Sequence, residues 1–166
     1  MNHSYSQTLN RLVGYFESEL KAVPEEVFRH KPGPAKWSKQ EIVGHLCDSA
    51  ANNHLRFVQI KLSAHPVSLE GYDQDTWVDL HGYQEQYNQT DIITLWVMLN
   101  RQIVHVIESL TAEDYGKTCI LPGGGEATLD WLVNDYLEHM RHHFRQILGP
   151  ESVERARPGH RQTGGN

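Results

Sequence analysis

The segment "DIITLWVMLNRQIVHVIESL" sets Ile92, Trp96, Leu99, Ile103, Val106 and Leu110 at strictly alternating steps of four and three residues. That spacing holds an apolar stripe on one side of an α-helix for about five turns. It cannot serve a strand, whose faces alternate at every residue. A stripe of that length must be covered by other elements, and three further segments of the chain can do so as helices. "YSQTLNRLVGYFESEL" carries Leu9, Leu12, Val13, Phe16 and Leu20 at helical spacing and ends before Pro24. A second helix begins at Ser38, where Glu41 completes a capping box, and continues to about Ala64, before Pro66. The fourth starts at Thr128, an N-cap residue, and runs through "LDWLVNDYLEHMRHHFRQIL" until Gly149-Pro150 stops it.

These segments predict an all-α four-helix bundle over residues 1–150. The polar stretch "ESVERARPGHRQTGGN", residues 151–166, is expected to be a flexible tail. The second connection, roughly residues 65 to 90, is far longer than the usual two to eight residues between bundle helices, as a crossover requires. It contains "GYDQDTWVDLHGYQEQY", aromatic enough to pack over an opening, with Tyr72 and Trp77 as candidate lid residues. The Pro-Gly-Gly-Gly tip of "CILPGGGEATL" predicts a turn with a short hairpin.

Composition narrows the function. A formal charge of −6 argues against nucleic acid as a partner, because phosphate binding depends on clustered Lys and Arg. No stretch approaches the roughly 18 apolar residues of a membrane span, so no membrane partner is expected and the cytoplasm is the default location. With Cys47 and Cys119 as the only cysteines, a metal site here would use nitrogen and oxygen donors.

Eleven histidines are too many for their number to be informative, so geometry must choose among them. On a helix, His139 and His143 stand about 40° and ~6 Å apart, close enough for two imidazoles to share one ion. His142 points about 100° away from His143 and belongs to the flank; a His139/His142 pair is the fallback. A third protein ligand is needed, and the second helix offers His45 or His54 on opposite faces. His45 lies about 10 Å from the start of its helix, and His143 and His139 lie about 7 and 13 Å from the end of theirs. Antiparallel packing of these two helices therefore brings His45, His139 and His143 to one height. Gly44 beside His45 signals close packing or access. Asp48, Ser49 and Asp135 are placed to accept a free imidazole N–H, and Asp48, Asp135, Asn52 and Asn53 are the candidates for a general base. Cys47 reads as core. The Glu-x-x-His pairs of di-iron bundles and the His-Glu-x-x-His zinc motif are both absent.

Trp37, Ser38, Glu41, His45 and Leu46, together with the helix bearing His139, His142, His143, Gln146 and Ile147, resemble the DinB/YfiT-like superfamily of proposed metalloenzymes. "YDQDTWV" at Tyr72 to Val78 is similar to the stretch before that family's third helix. The resemblance implies an up-down-down-up bundle, a metal triad of His45, His139 and His143, and Ni²⁺ or Zn²⁺ as the occupant. It also implies enzymes that use low-molecular-weight thiols, and a homodimer. Three neutral imidazoles leave a divalent ion with open positions. The first expectation is therefore a metal-dependent transferase that activates a small thiol towards a small-molecule substrate. A hydrolase using metal-bound water is the alternative, and a non-catalytic metal- or partner-binding bundle is the third reading.

Overall fold

The computed structural model describes residues 3–156. In chain order it contains α1 (His3–Ala22), α2 (Glu25–Arg29), α3 (Lys39–Leu62), β1 (Val67–Ser68), α4 (Gln74–His81), α5 (Tyr83–Gln86) and α6 (Gln89–Glu108). These are followed by α7 (Ala112–Tyr115), β2 (Thr118–Ile120), β3 (Glu126–Thr128), α8 (Leu129–Leu148) and α9 (Pro150–Arg155). The four long helices α1, α3, α6 and α8 are the four read from the sequence. Their starts follow the expected chemistry: Ser38 and Glu41 form a reciprocal capping box at α3, and the Thr128 side chain accepts from the Trp131 N–H at α8.

Cross-helix contacts give the directions. Rising numbers on α3 meet falling numbers on α8, from Lys39 on the Ile147 carbonyl to Ser49 beside His139, so these two helices are antiparallel. Gln89 at the start of α6 reaches the carbonyls of Leu20 and Val23 at the end of α1, so that pair is antiparallel too. α1 and α8 run together, with Phe16 stacked on Phe144 (3.6 Å between ring centres) and Tyr5 beside Tyr115, which precedes α8. The bundle is therefore up-down-down-up, with residues 63–88 as the crossover that α3 and α6 need in order to run in the same direction. Among the described residues, no helix is long and apolar enough to cross a membrane.

The core is a continuous cluster in which Leu9, Phe16, Phe57, Ile92, Trp96 and Phe144 are fully buried. On α6 the buried face is centred on Trp96, Asn100, Ile103 and Ile107, while Leu99 and Val106 of the predicted stripe are only half-buried. The stripe lies one position off the centre of the face because α6 packs against two neighbours, α1 and α3. The one buried polar side chain on that face, Asn100, is satisfied by donating to the Trp96 carbonyl and accepting from the Tyr136 hydroxyl at 2.6 Å.

The expected hairpin is present. β2 and β3 pair antiparallel around Gly123, Gly124 and Gly125, all three at positive φ, where glycine avoids a Cβ clash. β1 from the crossover adds a parallel strand on β2, a pairing not anticipated.

The boundary at residue 150 needs correction. Residues 150–155 form α9, with Val153 and Ala156 buried, so the first part of the expected tail is packed against the bundle. Gly149, at φ 88°, turns the chain, and Pro150 then occupies the first turn of a new helix, where its missing N–H costs nothing. The rest of the expected tail, residues 157–166, lies outside the described residues.

Candidate metal centre

Counter-running α3 and α8 bring the three predicted histidines together. His45 Nε2 stands 3.3 Å from His139 Nε2, which stands 3.1 Å from His143 Nε2. One nitrogen from each ring lies within 4.8 Å of the others. His54 takes no part in this cluster, and His142 is exposed, its Nε2 3.2 Å from the Gln146 side-chain amide. The i, i+4 pair is thus the one that converges, and the i, i+3 alternative is not used.

Two of the three rings are oriented from behind. Ser49 Oγ lies 3.3 Å from His139 Nδ1, and Gln146 Oε1 lies 2.8 Å from His143 Nδ1. Both oxygens can accept from an Nδ1–H, which leaves the Nε2 lone pairs pointing at one another. His45 is fully buried, packs against Trp37 (ring centres 5.2 Å apart), and has no partner for its Nδ1. Burial, reinforced by the neighbouring imidazoles, lowers the His45 pKa to about 3 and that of His139 to about 4, and holds His143 below its ordinary value. All three are therefore neutral near pH 7, the form that ligates a cation.

The residues fit a metal ion. Lone pairs facing each other at 3.1–3.3 Å repel, and one shared proton could bridge only a single pair. A tetrahedron with Zn–N bonds of ~2.05 Å has edges of about 3.3 Å, close to these separations.

The other candidates have distinct fates. Asp48 is committed elsewhere: one carboxylate oxygen accepts from the Tyr83 hydroxyl at 2.7 Å and faces His81 Nδ1 at 2.9 Å. Asn52 donates to the Asp48 carbonyl, and Asn53 donates to that of Ser49. Cys47 is core, its thiol pushed up by burial. Gly44 permits a close approach by Tyr83, whose ring leaves no room for a Cβ there. Tyr72 packs on Trp77, with ring centres 4.6 Å apart.

A cavity of about 240 Å³ opens beside His139, lined by Ser49, Asn53, Arg56, Tyr72 and Asp135 among others. Asp135 is thus the carboxylate in this cavity, and burial raises its pKa. Burial also raises Tyr72 to about 12, which keeps its hydroxyl protonated. The role of Gln146 behind His143 was not read from the sequence, although its position three residues after a candidate ligand was the available signal.

The sequence profile of the DinB superfamily matches residues 7–147, including all three histidines and both helices that carry them. The chain belongs to the DinB superfamily. One relative of this DinB-superfamily protein, from Bacillus cereus and named as a supposed metal-dependent hydrolase, is 27% identical over 111 residues. The match covers 67% of this chain and 62% of the relative, so the chain spans less than two thirds of the length of the curated relatives it matches. Among solved structures, YfiT from Bacillus subtilis is described as a probable metal-dependent hydrolase with an unusual four-helix bundle topology. It superposes with a TM-score of 0.78 at 19% identity, over 93% of this chain and 86% of its own. A mycothiol-dependent maleylpyruvate isomerase superposes with a TM-score of 0.67 at 9% identity, over 94% of this chain and 67% of its own. At these identities the two structures establish the shared fold.

Proposed function

We propose that this DinB-superfamily protein is a divalent-metal-dependent hydrolase acting on a small ester or amide. The observation that carries this reading is the convergence of three neutral imidazoles beside a small, polar cavity that also contains Asp135. When bound, a divalent ion supplies Lewis acidity and lowers the pKa of a coordinated water or thiol. Imidazole donors suit Zn²⁺ and Ni²⁺.

The chain's own residues supply the rest. His45, His139 and His143 would hold the ion, while Ser49 and Gln146 fix the tautomers of His139 and His143. Asp135 is the candidate general base, able to take the proton of the attacking nucleophile on a carboxylate oxygen and return it to the leaving group. Tyr72 lines the same space, and its protonated hydroxyl is the candidate donor to a substrate carbonyl.

Hydrolysis is preferred over thiol transfer. About 240 Å³ corresponds to roughly eight waters, room for a small ester or amide. The names of the Bacillus cereus relative and of YfiT support the hydrolytic reading. The fold likeness to the mycothiol-dependent isomerase supports the thiol reading as the second.

The test has two stages. Metal content is measured for the purified protein and for His45→Ala and His143→Ala; stoichiometric metal in the parent and loss in both variants is expected. The loaded protein is then assayed with small esters and amides and, separately, with a thiol plus an electrophile. Turnover only in the second assay reverses the order of the two readings, and failure of the parent to bind metal sinks both.

A further inference from the structure

We infer that Arg56 is an anion-recognition point for substrate, and that the molecules accepted carry a carboxylate at the end remote from the reacting group. The inference rests on the hydrolytic reading for which end of the substrate meets the histidines.

On α3, His45, Ser49, Asn53 and Arg56 are separated by four, four and three residues, which keeps them within about 80° of one another around the helix. Arg56 therefore stands on the same face as the metal ligand, about 16 Å along the axis by backbone rise, and its side chain lines the cavity that reaches His139. The guanidinium is anchored: Nη2 donates to the Glu70 carbonyl at 2.6 Å. Among the described residues no carboxylate lies within ion-pair distance of it. Arg56 is also the one cation among the residues lining this cavity. A guanidinium fixed by one donor, with the remainder of its fork uncommitted to any acid, matches the planar, two-oxygen geometry of a carboxylate.

The opposite wall selects further. Asp135, from α8, lines the same space and would repel a dianion more strongly than a monoanion. Arg56 and Asp135 balance each other, so the lining as a whole carries no excess positive charge to favour a dianion. A carboxylate monoanion is therefore favoured over a phosphate ester, and the small volume restricts the molecule between anion and reacting carbonyl to a short chain.

The experiment uses ligands that carry no carboxylic ester or amide bond, on the zinc-loaded full chain. Titration calorimetry compares 5-oxohexanoate, the neutral alcohol 6-hydroxyhexan-2-one, and 4-oxopentyl phosphate in the parent, Arg56→Gln and Arg56→Lys. In the parent the carboxylate should bind at least about tenfold more tightly than the alcohol, and more tightly than the phosphate ester. That ratio should collapse to about one in Arg56→Gln and fall part-way in Arg56→Lys, which keeps the charge but loses the fork. A parent ratio near one overturns the inference. So does a ratio unchanged in both variants, which would put the carboxylate on the metal, and tighter phosphate binding overturns the carboxylate assignment. If Arg56→Gln fails to fold, an unchanged ratio in Arg56→Lys is enough to reject the inference. Metal content measured on the same samples separates the two failures: without metal uptake the hydrolytic reading falls, while the titration of the metal-free chain still decides for Arg56.

Discussion

Replacing Gly44 and, separately, Gly14 with alanine should shift stability in opposite directions. Both glycines sit inside long helices, where alanine is favoured by about 1 kcal/mol on backbone grounds. A Cβ on Gly14 would meet nothing within 4 Å, so that gain should appear in full. A Cβ on Gly44 would lie 2.2 Å from Cδ2 and 2.3 Å from Cγ of Tyr83. Restoring ordinary contact at 3.4 Å moves the ring by at least 1.2 Å (3.4 − 2.2), enough to break the 2.7 Å bond from its hydroxyl to Asp48. Overpacking costs about 1–3 kcal/mol and loss of a hydrogen bond to a carboxylate about 1.5–3 kcal/mol, against the gain of about 1 kcal/mol. The expected net loss is about 1.5–5 kcal/mol. At roughly 2–4 °C per kcal/mol for a chain of this size, Tm falls by at least about 3 °C for Gly44→Ala and rises by about 2–4 °C for Gly14→Ala. Scanning calorimetry and urea titration measure both. With Tyr83→Ala in the background, the Gly44→Ala penalty should vanish. A Gly44→Ala protein as stable as the parent, or more so, would refute the close approach of the crossover to α3.

Tyr83→Phe alone should cost about 1–3 kcal/mol in a urea titration, because Asp48 keeps its burial and loses a donor. Saturating the histidine site with Zn²⁺ at about a thousand times Kd should stabilise the parent by about 4 kcal/mol and leave His143→Ala unchanged, as read by thermal melts with and without chelator. Asp114 accepts from the Thr111 backbone N–H and is further favoured as a carboxylate by Lys117 and Lys61, which lowers its pKa to about 2. A depressed carboxyl stabilises the fold above its unfolded value near 3.8 and loses that contribution as pH falls through its folded value. Asp114→Asn should therefore be less stable than the parent at pH 7, with the gap closing between pH 4 and 2 in denaturant titrations.

The long helices and the convergence of the three histidines were legible because each rests on repetition or on level. The stripe from Ile92 to Leu110 repeats often enough to define a helix, and the caps at Ser38 and Thr128 fix where two others begin. Once α3 and α8 are antiparallel, height alone aligns His45 with His139 and His143. Partial helix was expected in the crossover, but the short helices were not placed one by one, because four to eight residues contain too few turns for a period to show. Their caps were nevertheless present: Asp73 accepts from Thr76 at α4, and Thr111 with Asp114 forms a capping box at α7. The parallel pairing of β1 with β2 joins residues some fifty positions apart, Val67 with Cys119, which no local pattern records. Gly149-Pro150 misled because the same dipeptide that ends one helix also begins another. Asp48 and Asp135 were equivalent candidates in the sequence; only packing assigns one to Tyr83 and His81 and the other to the cavity.

His45 and its two companions are separated by more than ninety residues, so the donor set does not exist until the last long helix has docked. A nascent chain released before residue 143 holds at most two of the three imidazoles. Uptake of an ion by all three imidazoles would therefore report completed assembly of the bundle.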